Sequence, residues 1–126
     1  MSTIVCEKVA TSEVATSGNI ELISERRKIV GRRHVLIGEV ATRRYRKGNR
    51  FGDGPALAVV DPGSLLEMWN VLVACHRANK ILIMQAANTG LTGGSTPDGA
   101  ACDRDIVIVS TMGLSAVHLQ DDPDRK

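Results

Sequence analysis

The sequence predicts an α/β fold, and three observations in its second half carry that prediction. The run ALAVV, Ala56 to Val60, has the length and β-branched content of a strand buried on both faces. A helix with a clear start follows it, Ser64 and Glu67 forming the S-x-x-E pattern of a capping box. A second apolar run, Lys80 to Met84, then empties abruptly into a loop of small residues, QAANTGLTGGSTPDG. Strand, helix and strand in that order make a βαβ unit with parallel strands.

Taken in chain order, residues 2–18 mix Ser, Thr and Val without a helical stripe or a turn signal, and they receive no assignment. From Asn19 the pattern sharpens. Asn19 is a capping residue, Ile20, Ile23 and Val30 recur near helical spacing, and Gly31 offers a stop, so a helix is expected over 20–30. Between Arg26 and Arg50 lie ten of the sixteen cations, clustered as ERRK, GRR and RRYRKGNR. This basic stretch is either a solvated surface or a patch that neutralises phosphates; Glu21, Glu25 and Glu39 interrupt its field, and Tyr45 is its only aromatic.

After the GDGP turn at Gly52 to Pro55 come the first strand and the capped helix. Leu65, Met68, Trp69, Leu72 and Cys75 are expected on its core face, and Asn79 is a suitable left-handed stop. Past the glycine loop, Asp103-Arg104-Asp105 reads as a solvated entry to a third strand, Ile106 to Ser110, rather than as a catalytic carboxylate pair.

Composition narrows the function. A chain of 126 residues is one domain's worth, long enough for a core but short for an enzyme that also needs a substrate domain. Only 2% of residues are aromatic, too few for base-stacking platforms, and a net charge of +2 implies no polyanionic partner. The three cysteines, Cys6, Cys75 and Cys102, have no C-x-x-C spacing, so reduced thiols and a cytoplasmic setting are expected, with no metal site. His34, His76 and His118 have no catalytic setting. No stretch has the length of a membrane span or the form of an export signal.

The loop after Met84 is where chemistry is expected. Glycines, alanines and small hydroxyls leave many backbone N–H groups open, and amides turned inward form a concavity suited to a phosphate or pyrophosphate. The other reading is a surface turn that binds nothing. The loop leaves the carboxyl end of a strand, where open α/β sheets bind ligands. Its spacing excludes G-x-x-x-x-G-K-[ST] and G-x-G-x-x-G.

The run from Ala56 to Gly99 with its AANTG and GS motifs, the following DRDIVIVST, and the upstream RYRKG, Arg44 to Gly48, resemble the FAD-binding domain of the PCMH type. Within it, the likeness is to the bacterial respiratory, quinone-dependent family of D-lactate dehydrogenases. That resemblance implies an incomplete FAD-binding PCMH-type subdomain over residues 29–114, with 1–28 unassigned and 115–126 an unmatched polar tail. It places Ala86, Ala87, Asn88, Thr89, Gly90, Gly94 and Ser95 along the FAD pyrophosphate and neighbouring ribose, and it assigns no catalytic residue to this stretch. D-lactate and quinone are the implied partners of the full-length family. Peripheral attachment to the cytoplasmic face of the inner membrane is implied through regions beyond this stretch, and no nucleic acid is expected. Gly93 stands where the family usually has an acidic residue, and Cys102 where an aromatic is expected. The expectation is a truncated FAD-binding portion, inactive alone; the alternative is a non-catalytic remnant or a small phosphate- or RNA-binding module using the basic 26–50 patch.

Overall fold

The computed structural model describes residues 7–99 and 102–119, with side chains from residue 18 onward. Cys6 and residues 120–126 of the tail lie outside the described residues. The chain runs α1 (Glu7–Val30), a 3-10 turn (Arg32–His34), β1 (Val35–Leu36), α2 (Glu39–Arg46), β2 (Ala58–Val60), α3 (Leu65–Arg77), β3 (Ile81–Gln85) and β4 (Ile106–Ser110). The four strands form one sheet in the order β1-β2-β4-β3.

The two apolar runs and the third strand form where the sequence places them, and they are mutually parallel. Their order refines the expectation: β4 inserts between β2 and β3, so the βαβ pair does not share a ladder. Strand β4 pairs along both edges, Val107 facing Ala58 on one side and Leu82 on the other. All five of its residues are buried. The period-2 alternation of a strand then sorts its side chains between two cores. Val107 and Val109 join Ala58, Val60, Val71 and Cys75 beneath α1 and α3, while Ile106 and Ile108 join Val59, with Leu36, Tyr45, Ile81 and Ile83 packed around them.

Two further elements were not expected from the sequence. Strand β1 pairs antiparallel with β2 through Val35 and Leu36. Helix α2 occupies the RRYRK region, with Thr42 its single buried residue. Helix α1 starts at Glu7, well before the expected residue 20. Its buried positions Leu22, Arg26 and Val30 recur at i, i+4 and i+8, and the arginine among them hides the stripe from a reading of apolar residues.

The start of α3 is capped as expected. Ser64 Oγ accepts from the Glu67 amide at 3.2 Å, while Glu67 Oε2 accepts from the Gly63 amide at 2.8 Å, one residue earlier than in the standard box. Asn79 ends the helix in the left-handed region at φ 52°. The core face of α3 differs from the expected one: Val71, Ala74 and Cys75 are buried, whereas Leu65 is 70% and Trp69 63% exposed. At about 100° per residue, Leu65 and Trp69 lie a quarter-turn or more from the face that α1 and the sheet cover.

Charged side chains are held in two settings, one in the core and one at the amino ends of the strands. Arg26 is fully buried, and its Nη2 donates to Cys75 Sγ at 3.0 Å while Nε and Nη1 have no partner among the described residues. Burial pushes the Cys75 thiol above its usual range, against the pull of the guanidinium. A buried cation facing a neutral thiol is poorly compensated. Replacing Arg26 by methionine is therefore expected to hold or raise the melting temperature in a thermal scan. A loss above about 2 kcal/mol would show the contact to be a net stabiliser.

At the amino ends of β3 and β4, Asp103 pairs with Arg104 in solvent and Lys80 Nζ lies 2.7 Å from Asp105 Oδ2. The hydrogen bond from Lys80, helped by one from Asn19 and opposed by partial burial, holds the Asp105 carboxyl below the usual carboxylate range. A depressed folded-state value contributes stability above the unfolded pKa of about 3.9 and loses it as pH falls through the folded value. Asp105→Asn should thus lower the urea midpoint at pH 7, corresponding to under about 1 kcal/mol for a partly exposed pair, and the difference should close toward pH 2.

Candidate functional site

The carboxyl ends of β3 and β4 deliver the chain into the small-residue loop and hold its base. The Thr111 amide donates to the Gln85 carbonyl at 2.8 Å, which closes the end of the ladder. Beyond Gln85 the backbone leaves the sheet, and Asn88 turns it with a φ of 55°. Asparagine adopts that conformation more readily than most residues because its short side chain bonds locally. Gly93, at φ 76°, occupies the left-handed region that an acidic residue would enter only with strain.

Among the described residues, no backbone N–H from Ala86 through Ser95 donates to a protein acceptor. The next donor is the Thr96 amide, to Gly93 O at 3.3 Å. Ala86, Ala87, Thr89, Gly90 and Gly94 are exposed, Asn88 and Ser95 half-buried. A Cβ built on Gly90 meets nothing within 4 Å, so open space adjoins the main chain there. A run of exposed, uncommitted amides is the donor set that an anion's oxygens use.

The side chains of the same loop behave differently from its amides. Asn88 Nδ2 donates to the Lys47 carbonyl at 2.9 Å and to the Arg44 carbonyl at 3.4 Å, and Asn88 Oδ1 accepts from Ser95 Oγ at 3.1 Å. Gln85, buried at the end of β3, donates from Nε2 to the carbonyls of Tyr45 and Ser95 at 2.8 and 2.7 Å. Asn88 and Ser95 thus brace the loop with their side chains, leaving main-chain groups for a ligand. Gln85 was missed from the sequence; a polar residue closing an apolar strand run is the signal that marks it.

The braces bring the basic region into the site. A cleft of about 730 Å³ is lined by Arg43, Arg44, Lys47 and Asn49 on one side and by Ala87, Asn88 and Thr89 on the other. Arg44 stacks on the Tyr45 ring at 4.7 Å, and among the described residues none of Arg43, Arg44 and Lys47 forms an ion pair. Arg46 is engaged elsewhere, donating to the Gly54 and Glu39 carbonyls. The turn after α2 is tight: Gly52, at φ 89°, has no room for a Cβ, which would fall 1.9 Å from Thr96 Oγ1.

No group of His, Cys, Asp and Glu suited to a metal occurs among the described residues. No helix among them is long and apolar enough to cross a membrane. Free amides, open space at Gly90 and unpaired cations across the cleft together fit a ligand carrying more than one phosphate charge.

No family model matches the chain. It is 55% identical over 108 residues to the quinone-dependent D-lactate dehydrogenase of Escherichia coli, a match covering 86% of this chain and 19% of that protein. Proteins of the same name from Haemophilus influenzae and Corynebacterium glutamicum are 52% and 50% identical, over 79% and 85% of the chain and 18% and 19% of their own lengths. The chain thus spans about one fifth of the length of these curated relatives. Among solved structures, an alkyldihydroxyacetonephosphate synthase superposes with a TM-score of 0.69 at 16% identity, over 80% of this chain and 20% of that one. The 4-ethylphenol oxidase of Gulosibacter chungangensis superposes with a TM-score of 0.56 at 20% identity, over 74% and 18%. In sequence the chain therefore resembles part of a quinone-dependent D-lactate dehydrogenase, and its fold is an incomplete portion of the FAD-binding PCMH-type α/β architecture.

Proposed function

We propose that residues 29–114 form the phosphate-binding part of an FAD site in a quinone-dependent D-lactate dehydrogenase. The observation that carries this reading is the run of amides from Ala86 to Ser95 that find no acceptor among the described residues, set across a cleft from Arg43, Arg44 and Lys47. In this assignment the backbone of Ala86, Ala87, Asn88, Thr89, Gly90, Gly94 and Ser95 lies along the pyrophosphate. Alanine and glycine let the main chain approach closely, and the amide dipoles and facing cations offset the two phosphate charges. FAD held here by these main-chain groups would supply the redox chemistry that links D-lactate oxidation to quinone reduction. This stretch contributes binding and orientation, since among the described residues no histidine or carboxylate lines the cleft.

Contact with D-lactate, quinone and the cytoplasmic face of the membrane is assigned to parts of the relatives beyond the matched fifth. The stretch alone is accordingly expected to show no lactate-dependent dye reduction. The alternative of a small RNA- or phosphate-binding module is not favoured, because the relatives at 50–55% identity are dehydrogenases.

Titrating FAD into the 15N-labelled chain should shift the amide resonances of residues 86–95 before those of the rest of the protein. Gly90→Val should leave the melting temperature within about 2 °C of wild type, because the site is open, yet weaken FAD binding at least about tenfold by thickening the chain where the phosphates approach. Shifts confined to other regions, or a variant that binds as well as wild type, would remove the assignment.

A further inference from the structure

The carboxyl end of α2 and the small-residue loop lie some forty residues apart in sequence, and two carboxamides join them. Each uses both of its N–H groups. Asn88 Nδ2 reaches the carbonyls of Arg44 and Lys47, and Gln85 Nε2 reaches the carbonyl of Tyr45 and, within the loop, that of Ser95. Ser95 Oγ donates to Asn88 Oδ1 and so fixes which way that carboxamide faces. The three carbonyls on α2 belong to its last turn and its C-cap, where helix geometry leaves C=O groups without intrahelical partners. That end carries the negative pole of the helix dipole. Left uncovered, it would set oxygen lone pairs beside a cleft suited to an anion.

We propose that Gln85 and Asn88 are positioning residues that fasten the basic turn to the glycine loop. They cap the α2 carbonyls with neutral donors and hold the Arg44 and Lys47 side chains across from the open amides. The inference rests on the phosphate-binding reading of the loop for its consequence, but the fastening itself is a property of the ligand-free protein. Burial supports it: Gln85 is 1% exposed, and at that depth its two donor bonds have no competition from solvent. Asn88 already sits in the left-handed region, so glycine at that position removes the carboxamide without adding backbone strain.

Two readouts on the full 126-residue chain test this. Without ligand, amide hydrogen exchange of residues 44–50 should accelerate at least about tenfold in Asn88→Gly and in Gln85→Met, the latter keeping side-chain length, while exchange in β4 stays as in wild type. With FAD as the probe, Asn88→Gly should bind about tenfold more weakly and with a shallower dependence on salt. Adding Lys47→Ala to Asn88→Gly should then cost nothing further, although Lys47→Ala alone weakens binding. Unchanged exchange at 44–50 in both variants would overturn the fastening. Additive losses with an unchanged salt dependence would show that the carboxamides act on the loop alone and not through the cations. If the wild-type chain binds no FAD, the assignment of the loop to a flavin fails, and the exchange measurement still decides the role of the two carboxamides.

Discussion

Strand β4 imposes the constraint on which the rest of the structure depends. Its central residues Val107, Ile108 and Val109 pair with neighbours on both edges, and its side chains alternate between two apolar cores, so the strand needs partners in four directions. Burying Ile106 to Val109 is worth roughly 1.5–3 kcal/mol for each large side chain, but only if the backbone groups between them are paired as well. Strands β2 and β3 provide that pairing, α1 and α3 cover one face, and Tyr45 with its apolar neighbours covers the other. Because β2, β3 and β4 are parallel, their carboxyl ends emerge together. The loops that leave them have to turn at one edge of the sheet, where main-chain groups are no longer committed to a ladder.

The site grows from that edge by a division of labour between side chain and main chain. Side-chain amides and hydroxyls are spent on carbonyl oxygens: Gln85 on those of Tyr45 and Ser95, Asn88 on those of Arg44 and Lys47, and the one hydroxyl proton of Thr96 shared between those of Phe51 and Gly93. The carbonyls of Arg44, Tyr45, Lys47 and Ser95 are thereby occupied. An anion in the proposed site would meet donors from the loop and cations from the turn. Gln85, Asn88, Ser95 and Thr96 thus order the site through bonds to the protein itself.

Features encoded within a few residues were legible in the sequence. The Ser64–Glu67 cap, the left-handed Asn79, the apolar runs of β2, β3 and β4 and the small-residue loop each depend on their immediate neighbours. Features that depend on distant partners were not. Nothing near Val35 and Leu36 announces a strand, because a two-residue segment is defined only by Val60 and Val59 across from it. The buried Arg26 conceals the stripe of α1, and the true face of α3 is set by where α1 lies rather than by which of its residues are apolar. For the site, small-residue composition pointed to the loop. The claim of the basic turn on the same cleft came only from bonds made by Gln85 and Asn88 across forty residues of chain.

The proposed binding surface, made chiefly of peptide groups, would have an unusual relation to genetic variation. Away from Asn88, Gly93 and Ser95, exchanging one small side chain for another between Ala86 and Gly94 leaves the N–H groups where they were, so a conventional alanine scan would pass over those positions as nearly silent. Sensitivity belongs instead to changes that delete a peptide hydrogen, as proline does, or replace a peptide link by an ester. Selection on such a segment acts on the shape of its main chain, and the side chains it tolerates are those that do not intrude.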